Sequence, residues 1–284
     1  MKKVLFATTA LIATAGVASA DITITGSANM GLNYLEDRAR ETQVENEIDF
    51  NIVATGTSDN GIAFGASVDL DASEVNQVDG TDVGTGANDP EVFITYNGLT
   101  VTMGAVGAAD DTGGSADVGF DGIGVDSEQT ATGDHDVALA YSMNGVSLNL
   151  SFGNDSGDMA AAISGSIAGV DATFTYGEED AVKTVTSLTL GFDFAGLGVT
   201  AYVDQADFDA AGTADIDGTG FDISYTMGAV TYTVAWSDTD AAADVDADYG
   251  IGASVALGGG LNFVAGVGSV DDKTAAEAGF TMAF

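Results

Sequence analysis

The sequence predicts an all-β fold: a transmembrane antiparallel β-barrel of about 16 strands, with the third long loop folded inward. Three observations predict it. Apolar and polar residues alternate over most of the chain after residue 20, which is the period of a β-strand. Tight turns and longer acidic loops also alternate, as is typical of outer-membrane barrels. No segment after residue 20 has the roughly 18 consecutive apolar residues of a membrane helix, although hydrophobic residues make up 45% of the chain.

The first twenty residues predict a cleaved secretory signal peptide. Lys2 and Lys3 precede an apolar run over residues 4–17, and Ala18-Ser19-Ala20 supplies the small residues of a cleavage site. We therefore expect residues 1–20 to be removed and residues 21–284 to form one barrel domain outside the cytoplasm.

The alternation is clearest in the segment from Val230 to Trp236, where Val, Tyr, Val and Trp occupy every second position. Asn97-Gly98 and Asn144-Gly145 predict tight hairpins, because both residue types tolerate a positive φ. Alternation alone leaves open whether the apolar face meets lipid or a protein core. We predict longer loops near residues 35–43, 72–89, 107–135, 154–158, 178–184, 206–218, 238–246 and 269–273.

The charge balance excludes one class of partner. The chain carries 44 acidic and 6 basic residues, and two of the basic ones lie in the predicted signal peptide. The four that remain are Arg38, Arg40, Lys183 and Lys273. A nucleic acid would be repelled by such a protein, so we expect no nucleic-acid partner.

No pattern in the chain indicates an enzyme. Cysteine is absent, which excludes disulfides and thiolate metal sites. His135 is the only histidine, and no G-x-S-x-G motif accompanies it. The pair Gly250 and Gly252 lacks a strand–turn–helix context for nucleotide binding, so we interpret both as ordinary strand glycines.

The segment from residue 107 to 135 is the longest without strand character. It holds seven glycines and no basic residue. A loop of this length in a compact domain is usually functional or disordered. We predict that it narrows a water-filled pore and that its acids are solvated; the alternative is a disordered surface insertion. Its acidic residues are Asp110, Asp111, Asp117, Asp121, Asp126, Glu128 and Asp134.

Further charged residues are predicted to line the pore wall. Glu47, Asp49 and Asp69 share a strand face with Ser, Thr and Asn, and a charge is better accommodated by a wet lumen than by lipid. Arg38 and Arg40, in or beside the first loop, are the only cations expected to approach the lumen. We place Lys183 and Lys273 in outer loops.

A weak metal-site hypothesis concerns Asp244, Asp246 and Asp248, whose spacing resembles a calcium loop. The following glycine comes one position late, and Val255 stands where a glutamate would close an EF-hand, so that motif fails. A loose calcium site remains a hypothesis, with calcium as a structural counterion. We expect no other cofactor.

Residues 21–284 resemble the trimeric general porins of Gram-negative bacteria, particularly the alphaproteobacterial type. The resemblance is carried by ITITGSANMGLNY at the start, NGIAFGASVDL in the third strand, the long insertion after the fifth strand, and the ending AGFTMAF. It implies a sixteen-stranded homotrimer in outer-membrane lipid, with the third loop as the constriction. It also implies that the barrel-assembly machinery recognises the terminal Phe284.

The chain departs from that resemblance at one point. In many such porins a basic cluster faces the acidic loop, whereas only Arg38 and Arg40 are available here. We therefore predict a passive diffusion channel for ions and small hydrophilic solutes that prefers cations, in the outer membrane of a Gram-negative bacterium. The alternatives are a non-conducting structural or adhesive barrel, and a soluble exported calcium-binding β-protein.

Overall fold

The chain forms a closed barrel of sixteen antiparallel strands, as predicted, in which each strand pairs with the next and β1 pairs with β16. The computed structural model describes residues 21–75, 85–111, 114–125, 133–154, 157–241 and 246–284. The predicted signal peptide lies outside these residues and stays a prediction. The strands are β1 Asp21–Leu35, β2 Thr42–Thr57, β3 Ala63–Val75, β4 Thr85–Tyr96, β5 Leu99–Gly107, β6 Asp134–Met143, β7 Val146–Phe152, β8 Met159–Ile167, β9 Val170–Glu179, β10 Lys183–Phe194, β11 Leu197–Phe208, β12 Ile216–Met227, β13 Val230–Thr239, β14 Asp248–Gly258, β15 Leu261–Val270 and β16 Lys273–Ala283.

The alternation of the sequence separates the two faces of the barrel wall. On β13, Tyr232 and Val234 are exposed on the outside, whereas Ala235 and Ser237 are fully buried on the lumen side. The outer face is apolar over the whole circumference, and the lumen face carries Ser, Thr, Gly and carboxylates. A slip of one residue would turn charged groups toward lipid, so this pattern fixes the register. In the part of the chain that is described, no helix is long and apolar enough to cross a membrane.

The tight hairpins form where Asn-Gly pairs predicted them. Asn97 and Gly98 have φ values of 49° and 84°, and Asn144 and Gly145 have 53° and 81°. These positive values match a two-residue hairpin whose twist suits the flanking strands.

Two predicted loops differ from the structure. β3 continues to Val75 and β4 begins at Thr85, so the predicted loop over residues 72–89 was too long. The predicted loop at 269–273 is a two-residue turn, Asp271-Asp272, with φ values of 49° and 60°. Aspartate tolerates this left-handed conformation, so acidic residues here make a tight turn rather than a long loop.

The chain terminus closes the barrel seam. Gly26 and Phe284 exchange both backbone hydrogen bonds, at 2.8 and 3.0 Å. The Phe284 ring packs on Phe50 with 5.5 Å between ring centroids. Its predicted recognition by assembly machinery stays a prediction.

Candidate channel constriction

The loop between β5 and β6, described at residues 108–111, 114–125 and 133, is the loop predicted to form the constriction, and it is called the constriction loop here. A buried polar pair positions its two ends. The Ala109 N–H donates to Ser151 Oγ at 2.7 Å, and the same oxygen lies 2.6 Å from His135 Nδ1. His135 is 2% exposed. The single histidine therefore has a structural position, at the junction of the loop with β6.

From this point the loop runs along the lumen face of the wall. The Gly114 N–H donates to Thr189 Oγ1 on β10 at 3.3 Å, and the Ala116 N–H donates to Asp222 Oδ1 on β12 at 2.9 Å. The N–H groups of Asp121 and Gly122 both donate to Glu277 Oε2 on β16, at 3.0 and 3.1 Å. The prediction of an inward-folded third loop is thus confirmed, and side chains of β10, β12 and β16 accept hydrogen bonds from its backbone.

A small apolar cluster lies beneath the loop inside the lumen. Val118 and Val125 pack on Ala235 of β13, and Ile123 and Val270 pack against the same cluster. Val118 is 3% exposed and Val125 0% exposed. The loop is therefore packed against β13 through buried apolar side chains.

The acids of the loop have different environments. Asp117 accepts hydrogen bonds from the backbone N–H groups of Val118 and Gly124, at 2.6 and 2.5 Å, and so closes a turn within the loop. Asp110 is 2% exposed. The expectation that all these acids are solvated was therefore wrong for Asp110, whereas Asp117 remains partly exposed. Asp111, Asp121 and Asp134 are exposed, while Asp126 and Glu128 lie outside the described residues.

The predicted wall acids stand on the lumen faces of β2 and β3. Asn29 on β1 donates to Glu47 Oε2 at 3.1 Å and to Asp121 Oδ1 at 3.3 Å, which ties the wall to the loop. Asp69 accepts a hydrogen bond from Asn51 at 2.5 Å. Asp49 is the cross-strand partner of Asp71, another acid. The lumen wall is thus acidic on this arc.

One wall acid was missed by the sequence reasoning. Carboxylate oxygens of Glu45, Asp121 and Glu277 lie within 4.8 Å of one another. We call this the acidic trio. Glu45 lies two residues beyond the predicted first loop, near an uncertain strand boundary, so it was not included among the predicted wall acids. The pattern was nevertheless present, because Glu45, Glu47 and Asp49 occupy every second position of β2 and therefore face the lumen together. Such a group of oxygens is suited to hold a hard cation.

The calcium site predicted at Asp244, Asp246 and Asp248 lies only partly within the described residues. Asp248 is 5% exposed, and its Oδ1 accepts the backbone N–H of Asp271 at 2.9 Å. Asp246 is exposed, and Asp244 lies outside the described residues. Calcium binding at these three positions stays a prediction.

Arg38 brings one positive charge to the lumen mouth. Its Nη2 donates to Asn33 Oδ1 at 2.8 Å, and the Asn33 amide donates to Glu277 Oε1 at 2.8 Å. Arg40 is exposed in the same loop. Lys183 and Lys273, predicted in outer loops, are instead the first residues of β10 and β16. A wall of several cations opposite the constriction loop is therefore not built by the described residues.

A closed sixteen-stranded barrel with an apolar exterior, a polar lumen and an inward loop defines the class of outer-membrane channels. The particular family follows from comparison with known proteins. The Gram-negative porin family matches residues 7–282, and the chain belongs to that family. The chain is 27% identical over 299 residues to a porin of Fuscovulum blasticum, covering 93% of this chain and 100% of the relative.

Solved structures agree on the fold. A triple mutant of the Rhodopseudomonas blastica porin is 24% identical and superposes with a TM-score of 0.78, covering 93% of this chain and 100% of the other. A further variant of the Rh. blastica porin gives a TM-score of 0.77 at 23% identity with the same coverage. The chain is thus an outer-membrane porin channel, and the predictions of family, fold and location are confirmed.

Proposed function

We propose that this porin is a passive diffusion channel for ions and small hydrophilic solutes that selects cations over anions. The observation that carries the proposal is the acidic trio, Glu45, Asp121 and Glu277, at the point where the constriction loop meets the wall. The wall acids of β2 and β3 extend the same negative charge along the lumen.

The mechanism combines sieving with electrostatics. The constriction loop reduces the free cross-section, and fixed negative charges raise the local concentration of cations and lower that of anions. Arg38 opposes this charge near the constriction loop, and its guanidinium is held by Asn33 and by backbone carbonyls of its own loop. Transport of this kind requires no chemical step, so we propose no catalytic activity.

Membership of the porin family removes the soluble alternative. A non-conducting barrel is the remaining rival, and recording in a planar bilayer separates the two. Purified protein should give stepwise ohmic conductance. In a KCl gradient its reversal potential should show a potassium preference in dilute salt that fades toward molar salt, because the screening length falls from about 10 Å at 0.1 M to about 3 Å at 1 M.

A channel that prefers chloride would overturn the proposed selectivity, and protein that inserts without conducting would overturn the channel itself.

We also propose that the barrel assembles as a homotrimer and that the barrel-assembly machinery recognises Phe284. Both proposals rest on the resemblance of this chain to general porins.

A further inference from the structure

On the lumen face, glycines form an area without side chains across four adjacent strands, β14, β15, β16 and β1. Gly250 on β14 lies opposite Gly268 on β15, and Gly252 lies opposite Gly266. Gly31 on β1 lies opposite Gly279 on β16, and Glu277 lies opposite Gly266. The area is therefore continuous, with one carboxylate within it. We call it the glycine seat, and it consists of Gly31, Gly250, Gly252, Gly266, Gly268 and Gly279.

Backbone conformation does not explain these glycines. None of the six has a φ in the left-handed region that side chains rarely adopt. Each lies in an extended strand, where larger residues are favoured and glycine weakens the sheet. At Gly31, Gly250, Gly252 and Gly266 the atom nearest to an added Cβ belongs to the loop. At Gly268 and Gly279 the nearest atom is a wall carbonyl oxygen, of Tyr249 and Met30, and a loop atom comes next. Space on the lumen side is therefore restricted at all six positions.

The constriction loop occupies that space. A Cβ at Gly266 would lie 2.5 Å from the Gly119 nitrogen and 2.9 Å from the Val118 carbonyl carbon. A Cβ at Gly250 would lie 2.6 Å from Val118 Cγ2, and one at Gly279 would lie 2.8 Å from Phe120 Cδ1. The neighbours of Gly266 are loop backbone atoms, which cannot move aside by changing rotamer.

Two independent attractions hold the loop on this area. Val118 and Val125 are buried against the wall, and burial of apolar side chains favours the contact. Glu277, which is 3% exposed, accepts the N–H groups of Asp121 and Gly122 from within the seat. Because the glycines have no side chains, the loop can approach the wall closely enough for both attractions. Side chains at these positions would push the loop away and lengthen its hydrogen bonds to Glu277.

We propose that the glycine seat sets the depth at which the constriction loop lies in the lumen, and with it the free cross-section of the channel. A methyl group at Gly266 must displace the loop by roughly 1 Å toward the lumen axis, because non-bonded carbon atoms pack about 3.5–4.0 Å apart. The link to cross-section rests on the proposed diffusion function, whereas the position of the loop does not.

The experiment uses a thiol reporter, which is unambiguous because the chain contains no cysteine. Val125→Cys places a single thiol in the buried cluster, at a position that is 0% exposed. In outer-membrane protein with an unchanged seat, a water-soluble thiol reagent should label it slowly. Adding Gly266→Ala to the Val125→Cys protein should raise the labelling rate of the thiol. In a channel without the thiol, Gly266→Ala should lower single-channel conductance, and Gly266→Val should lower it further.

Gly191→Ala is the matched control. Gly191 lies on the wall at β10, and a Cβ there would meet only the Asp171 Cβ, at an ordinary 3.7 Å. This substitution should change neither the labelling rate nor the conductance. It carries the same change of residue type in a strand, so it separates displacement of the loop from a general effect of glycine replacement.

Equal labelling in the Gly266→Ala and Gly191→Ala backgrounds would overturn the proposal, as would faster labelling with unchanged or increased conductance. If Gly266→Ala raises the labelling rate but even the unmodified protein does not conduct, the glycine seat is supported and the proposed channel function is rejected. If Gly266→Ala does not assemble, Gly252→Ala is the second variant, because a Cβ there would lie 3.0 Å from Val118 Cβ, an atom that cannot move aside by changing rotamer. That variant should also expose the thiol at position 125, and continued protection would overturn the proposal.

Discussion

Asp121→Asn is the substitution that tests most directly how charge at the constriction governs selectivity. Asp121 is exposed on the loop, and its carboxylate belongs to the acidic trio. Asparagine keeps the shape of the side chain, removes its charge and retains one carbonyl oxygen that can accept from Asn29. The backbone N–H of this residue, which anchors the loop to Glu277, is unchanged by the substitution.

The magnitude follows from the separation within the trio. A potassium ion as close to Asp121 as its carboxylate neighbours, within 4.8 Å, is stabilised by roughly 1 kcal/mol in bulk water and roughly 3 kcal/mol at an effective dielectric constant of about 20. The lumen is open to water, so the lower value applies. A loss of about 1 kcal/mol corresponds to roughly a fivefold change in local ion concentration.

Because loss of the charge also admits more chloride, we expect the potassium-over-chloride permeability ratio to fall by at least roughly fivefold at 0.1 M salt and to change little at 1 M, where the screening length is about 3 Å. Reversal potentials in KCl gradients measure this ratio. Asp59→Asn, the same change in the exposed turn between β2 and β3, is the control and should leave the ratio unaltered. Equal ratios for Asp121→Asn and the unmodified protein in dilute salt would refute the assignment of the trio as the selective point.

Three further predictions concern the loops and the assembly. Asp117→Ala should remove the acceptor of the Val118 and Gly124 N–H groups, at a cost of about 0.5–1.5 kcal/mol for each hydrogen bond, because water reaches these groups. Limited proteolysis should then cut the constriction loop faster while the thermal transition of the barrel is retained. The Thr274 backbone N–H donates to Glu36 at 2.9 Å and holds the pKa of that carboxyl below its usual range, so this contact should persist at neutral pH and be lost only as pH falls through the lowered pKa. A carboxyl-resolved NMR titration giving an ordinary or raised glutamate pKa would contradict this. If divalent ions bridge the acidic loops of a trimer, chelation should weaken the trimer on native gels; insensitivity over a wide range of chelator would reject the bridging.

Much of the barrel could be predicted from local patterns. The alternation from Val230 to Trp236 predicted that successive side chains face lipid and the lumen in turn. This works because side chains of a strand alternate between two faces, one of which contacts lipid and the other the polar lumen. Asn97-Gly98 and Asn144-Gly145 marked hairpins because their residue types tolerate the required φ. The same rules misjudged Asp271-Asp272, where acidic composition was taken as a sign of a long loop.

The arrangement inside the lumen could not be predicted in this way. Asp121 meets Glu277 across 156 positions of sequence, and Ala116 meets Asp222 across 106. A period-two pattern specifies which face a residue occupies but not which distant segment will cover it. Gly250 and Gly252 were therefore interpreted as ordinary strand glycines, and Asp117 as one solvated acid among many. The role of the two glycines depends on tertiary structure, because only the folded barrel places the constriction loop against β14, whereas Asp117 acts in a local turn that its spacing from Gly124 alone does not reveal.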